Sequence, residues 1–177
     1  MKKIKFIKSM KMTTLILFLL GSNWIMASSD SRVKAAIIFK LTYFVYWSEI
    51  KGAGSVLDLC VLGDDSLYSE LKTTQGKLSK GSKVNVRKIE NIQQSYDHCE
   101  MVFIGNNFSM PTSLVVEKLK KSSVLLVSDR AGFVKDGGML QIIDRGGRIR
   151  FTVNMQPIKA SGLSISSQFL SLAKVIM

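Results

Sequence analysis

Histidine occurs once, cysteine twice and proline twice in the 177 residues. The single imidazole, His98, has no second histidine with which to build a ligand set or a proton relay. It is adjacent to Cys99, and neighbouring side chains on an extended chain point to opposite sides, so a Cys–His nucleophile pair is disfavoured. Cys60, Cys99 and His98 together are too few soft ligands for a structural metal. Phosphate loops are lacking as well. The turn Gly63-Asp64-Asp65-Ser66 departs from G-x-G-x-x-G and sets two acids where a pyrophosphate would lie. The stretch Gly76-Lys77-Leu78-Ser79-Lys80-Gly81-Ser82-Lys83 has its lysine and serine in the wrong order for a P-loop. Asp129, Asp136 and Asp144 are scattered over turns, where capping is the expected role. No catalytic constellation, metal set or cofactor motif is therefore predicted, and the chain is read as a non-enzyme.

Acid is also scarce, with 13 Asp and Glu against 25 Lys and Arg, a formal net charge of +12. Residues 1–28 carry five of the lysines and no acid, so the charge falls to +7 without them. The remaining lysines are spread along the chain without a recognition element, which argues against nucleic acid as a partner. Hydrophobic residues make up 46% and charged residues 21%, enough apolar material for a core of one domain.

What is present begins with an export signal. A basic stretch over residues 1–12 precedes an apolar run from Thr13 to Met26, followed by Ala27, Ser28 and Ser29. This is the tripartite pattern of a secretory signal peptide, with cleavage expected after Ala27 or Ser29. The run is short for a membrane span and is interrupted by Asn23. The domain division is residues 1–28 as signal peptide and 29–177 as one folded domain, placed in the periplasm. In an oxidising compartment an even number of cysteines favours disulfides, so Cys60 and Cys99 are expected to form one.

Local patterns predict an α/β domain. A helix is expected from Arg32 to Trp47, capped by Asp30-Ser31 and apolar nearly all round. Strands follow at Leu57–Gly63, Val84–Ile89, Met101–Ile104 and Ser123–Val127. The helix between the first two is capped at Asp64–Ser66 and runs through about Thr74, and the one between the last two runs from Pro111 to Lys121. Met139–Asp144 and Arg148–Asn154 read as a hairpin around Arg145-Gly146-Gly147. A short helix over Gln156–Ala160 and a last amphipathic helix from Ser166-Ser167 through Ile176 complete the reading, the last with Phe169, Leu170, Leu172 and Ala173 facing inward. Strand–helix alternation followed by a hairpin implies a mostly parallel sheet, an antiparallel C-terminal hairpin and helices on both faces. Aromatic residues drive many protein contacts, which selects Phe39, Tyr43, Tyr46 and Trp47, and then Arg148 and Arg150, as the candidate partner-binding surface.

Several segments, in order, resemble the YfiR-like family of bacterial periplasmic proteins. They are Val33-Lys34-Ala35-Ala36 leading to Phe44-Val45-Tyr46-Trp47, Leu59-Cys60-Val61-Leu62-Gly63, His98-Cys99, Ser128-Asp129 with Phe133 before Gly137-Gly138-Met139, Arg150-Phe151 with Val153-Asn154, and Gly162-Leu163-Ser164-Ile165-Ser166-Ser167. The resemblance implies a small α/β regulatory domain that binds the periplasmic part of an inner-membrane diguanylate cyclase and holds it inactive, with consequences for cyclic di-GMP and biofilm formation. It further implies an outer-membrane lipoprotein as a second partner and a possible homodimer. Cys60 and Cys99 match one family disulfide, and a second bridge found in some relatives has no cysteines here. The alternative is a periplasmic small-molecule-binding module feeding another membrane sensor, its ligand at the strand ends near Gly63, Gly105 and Asp129.

Overall fold

The computed structural model describes residues 27–47, 54–95, 99–119 and 123–176. The basic and apolar parts of the predicted export signal, His98 and the Lys121 end of the predicted third helix lie outside these. Helix α1 (Ala27–Leu41) opens the fold, and a two-residue strand β1 (Val45–Tyr46) follows it. Then come β2 (Val56–Leu62), α2 (Asp65–Lys72), β3 (Leu78–Ser79), β4 (Ser82–Ile89), a 3-10 turn (Ile92–Ser95), β5 (Met101–Ile104), α3 (Thr112–Leu119) and β6 (Leu125–Ser128). The chain finishes with β7 (Leu140–Asp144), β8 (Ile149–Asn154), α4 (Met155–Ala160), β9 (Ser164–Ile165), α5 (Ser167–Leu170) and β10 (Ala173–Ile176).

The main sheet has the order β10-β8-β7-β6-β5-β2-β4-β3. β4, β2, β5, β6 and β7 run parallel, as a chain with strand–helix alternation requires. β8 turns back antiparallel to β7 and forms the predicted hairpin. The inner strands are continuous apolar runs because both faces are covered: all four residues of β5 and all four of β6 are buried. The β2→β4 step moves one way along the sheet and the β5→β6 step moves the other way. Right-handed crossovers therefore set α2 and α3 on opposite faces, and α1 packs against α2.

Three sequence expectations change. The first helix does not reach Trp47. It begins at Ala27 and ends at Leu41, and Val45 and Tyr46 pair antiparallel with Ile165 and Ser164. The run Tyr43-Phe44-Val45-Tyr46-Trp47 is β-branched and aromatic, which suits a strand better than a helix. Asp30 stands inside the first described turns, where its carboxylate meets Lys34 one turn on at 2.9 Å. The last helix also stops early, at Leu170. Ala173–Ile176 is a strand parallel to β8, and Leu172, expected to face inward, is 67% exposed. Finally, the polar connection after α2 contains β3, joined to β4 by Lys80 and Gly81. Both have positive φ, 50° and 87°, the backbone that a two-residue hairpin turn demands.

Candidate functional site

The carboxyl ends of the parallel strands come first, because a sheet with this order reverses direction between β2 and β5 and ligands of such sheets bind there. Between Gly63 and Gly105 the crevice is filled by the protein itself, while a cavity of about 580 Å³ lies beside it, lined by Lys34, Asn106 and Asp129 among others. Gly63 follows β2 and Gly105 follows β5. A Cβ on Gly105 would lie 2.4 Å from the Gly63 carbonyl oxygen, and one on Gly63 would lie 2.6 Å from the Phe108 amide nitrogen. The two turns thus touch backbone to backbone. Asp64 does not face the crevice as a free acid, because it caps α2 by accepting from the Leu67 N–H at 2.9 Å.

Arg130 completes the plug. Its Nε and Nη2 donate to the Gly105 carbonyl at 3.0 and 2.7 Å, its Nη1 to the Met110 carbonyl at 3.0 Å, and Nη2 also to the Phe108 carbonyl. The Ser128 hydroxyl, fully buried, donates to Ile104 O at 2.6 Å and accepts from Arg130 N–H at 3.1 Å. The neighbouring Asp129 was expected to cap a turn. Instead it holds Lys34 of α1 at 2.7 Å and accepts from Asn106 Nδ2 at 3.3 Å. Burial works against the Lys34 ammonium, yet hydrogen bonds and Coulomb attraction from Asp129 and Asp30 outweigh it and raise its pKa above the ordinary lysine value. Asp144 does serve a turn, accepting from the Gly147 N–H at 2.8 Å.

Where β5 begins lies the disulfide. Cys60 on β2 is bonded to Cys99, which leads into β5, with Cα atoms 5.9 Å apart. Trp47 is beside it: its indole N–H donates to Glu100 O at 2.9 Å, and the residue is only 9% exposed. Glu100 accepts the Asp58 N–H at 2.6 Å through its carboxylate, and the Asp58 carboxylate takes Arg87 Nε at 2.7 Å and the Asn85 side-chain amide. Burial, with a smaller push from the Asp58 charge, raises the Glu100 pKa, while the Asp58 N–H and Arg87 oppose the rise. A raised carboxylate favours the protonated native state. Its contribution is therefore fullest below the ordinary value of 4.5 and is lost as pH climbs through the raised value. Glu100→Gln keeps an oxygen for the Asp58 N–H. It is expected to raise the melting temperature at pH 7 by about 2 °C, a small effect because Glu100 is partly solvated. Melts repeated at about pH 4 should bring variant and parent together; an equal gain at both pH values would assign the effect to packing.

The residues selected as a partner surface fall into separate places. Phe39 and Tyr43 line a groove between α1 and α2, and their rings meet edge to face at 5.7 Å. Tyr46, 52% exposed on β1, lies under Lys80, whose ammonium is 3.5 Å from the ring centroid. Trp47 is buried and offers no surface. Arg148 and Arg150 are exposed on the distant hairpin. Phe151 packs on Phe169, which packs on Phe44, at 5.0 and 5.8 Å. Alternation along β8 therefore turns Arg150 to the face away from that aromatic chain. The sequence patterns do not single out Arg130 and Lys34; the one signal for Arg130 is a cation two residues past a fully buried strand.

A doubly wound α/β domain whose switch point is plugged, and whose strands are stapled by one bridge, defines a small α/β module. No helix among the described residues is long and apolar enough to cross a membrane, and no group of three metal-ligating side chains gathers among them. The chain belongs to the YfiR/HmsC-like family, whose model matches residues 31–174. No curated protein matches it. Among solved structures it is similar to the ABC domain in complex with L-Trp from Streptococcus pneumonia, at 12% identity with a TM-score of 0.52. The match covers 82% of this chain and 60% of that one, so the likeness concerns the fold alone.

Proposed function

We propose that the chain is a periplasmic regulatory binding protein that restrains an inner-membrane diguanylate cyclase through the cyclase's periplasmic domain. Membership of the YfiR/HmsC-like family over residues 31–174 carries this reading. The plug at the switch point supports it over a small-molecule module with its ligand between Gly63 and Gly105, since Arg130 and the Gly63–Phe108 contact occupy that space. The disulfide accords with export to an oxidising compartment. The contact surface is assigned to Phe39, Tyr43 and Tyr46, with Arg148 and Arg150 as a second patch for an outer-membrane lipoprotein or a second copy. Trp47 is withdrawn from the surface because it is buried.

Deletion of the gene should raise cyclic di-GMP several-fold and increase biofilm, and the exported chain should capture the periplasmic domain of the cyclase in a pull-down. Unchanged cyclic di-GMP together with no captured domain would remove the proposal.

A further inference from the structure

The groove between α1 and the α2 segment has the form of a slot for a third helix. Its α1 wall is Arg32, Ala35, Ala36, Phe39, Lys40 and Tyr43. The first five fall at i, i+3, i+4, i+7 and i+8 on α1, one stripe of just over two turns, and Tyr43 stands in the turn just past the helix. The other wall is Glu70 near the end of α2, with Thr73, Thr74 and Lys77 in the turns that follow it. Glu70 meets Arg32 at 3.6 Å, and Lys77 stands 5.9 Å from the Phe39 ring, seven residues on in both segments. The two walls thus run in the same direction. The space between them is about 610 Å³.

The floor is apolar and the middle is narrow in side chain. Ala35 and Ala36 carry only a methyl group, which lets another backbone approach, and Phe39 and Phe44 deepen the apolar floor. Tyr43 closes one end by donating to Leu78 O at 2.7 Å. Charge is uneven along the slot. At the Arg32 end the cation is matched by Glu70, whereas at the other end Lys40 and Lys77 are both exposed with no acid among the groove residues beside them.

We infer that this groove receives an amphipathic helix of the regulatory partner, with an apolar ridge seated on Ala35, Ala36 and Phe39 and an acidic end held by Lys40 and Lys77. Acidic residues stabilise the first turn of a helix, so the incoming helix runs antiparallel to α1 and sets its acidic N-terminal turn at the lysine end. The inference deepens the regulatory reading and rests on it for the identity of the partner, but the groove can be tested alone.

The probe is a synthetic peptide of about fifteen residues with leucines at i, i+3, i+4 and i+7 and glutamates in its first turn. A matched peptide carries lysines in place of the glutamates. Titration with the exported chain should show the acidic peptide binding at least tenfold tighter than the basic one. The double variant Lys40→Glu and Lys77→Glu should invert that preference, and Ala36→Glu should weaken the acidic peptide at least tenfold with an unchanged melting curve. All three positions are exposed, so the variants are expected to fold. In cells lacking the native gene, the folded Ala36→Glu chain should fail to lower cyclic di-GMP. If it represses fully while deletion still raises cyclic di-GMP, the regulatory reading stands and the groove assignment falls. Binding that ignores peptide charge, binding of small aromatic acids without either peptide, or a dimer in sedimentation that Ala36→Glu dissolves would each overturn it as well.

Discussion

Reduction of the disulfide is expected to lower the melting temperature of the chain by about 10 °C. The bridge joins residues 39 apart in sequence, and closing a loop of that length restricts the unfolded chain by about 4 kcal/mol in the chain-entropy treatment. For a domain of this size each kcal/mol moves the midpoint by about 2–4 °C. The total stability of a domain is about 5–15 kcal/mol, so the bond decides a large part of it. Its position adds to the effect. Cys60 is in the middle of the core strand β2, and Cys99 is at the entry of β5, the strand hydrogen-bonded to β2. Trp24 lies in the predicted signal peptide, so after cleavage Trp47 is the sole tryptophan, and its indole is bonded to the residue next to Cys99. Its fluorescence therefore reports the stapled region directly. Melting followed by tryptophan emission, with and without reductant and with free thiols counted, checks the expectation; coincident curves would show that the bridge contributes nothing.

The second large effect is expected at Arg130. Removing its guanidinium leaves the carbonyls of Gly105, Phe108 and Met110 without their shared donor, in a turn already in backbone contact with Gly63. A buried polar group left unpaired costs about 1–3 kcal/mol, and solvent reaching part of this site reduces the sum. Arg130→Met should therefore cost about 2–4 kcal/mol and lower the melting temperature by about 5–12 °C. Arg130→Lys should recover only a minor part, because an ammonium cannot reproduce the planar fork that reaches three carbonyls at once. Chemical denaturation of the two variants checks the order. The opposite outcome is equally readable: full stability in Arg130→Met, with loss of some ligand, would make Arg130 a binding residue and the crevice a site.

The buried strands were legible in the sequence because four-residue apolar runs covered on both faces leave a plain signature. Met101–Ile104 is where it is expected, and the Cys60–Cys99 bond agrees with the even cysteine count. The errors come from runs too short for periodicity to decide. Ala173–Ile176 continues the apolar spacing of α5 by chance, and only its pairing with β8 makes it a strand. The aromatic run after Leu41 was read as helix because the i, i+4 rhythm persists into it, although its composition favours β structure. The surface selection failed at Trp47 for a related reason. A tryptophan chosen as a contact residue is, once its N–H finds a carbonyl, a well-satisfied core residue. Arg130 leaves no sequence signal because its partners are backbone oxygens; for Lys34 the i, i+4 pair with Asp30 is legible, but the pairing with Asp129, 95 residues away, is not.

The pairing of Val45 with Ile165 has a consequence for delivery. A chain that reaches its compartment N-terminus first presents α1 and β1 long before β9 arrives. β2, β4 and β5 can pair, and their cysteines can oxidise, while that early strand still lacks its mate. β10, formed by Ala173–Ile176, is last of all. Closure of these edges therefore waits for the tail that carries β9 and β10. A truncation removing only that tail would leave a stapled centre with unpaired edges, the kind of species that proteases and chaperones recognise.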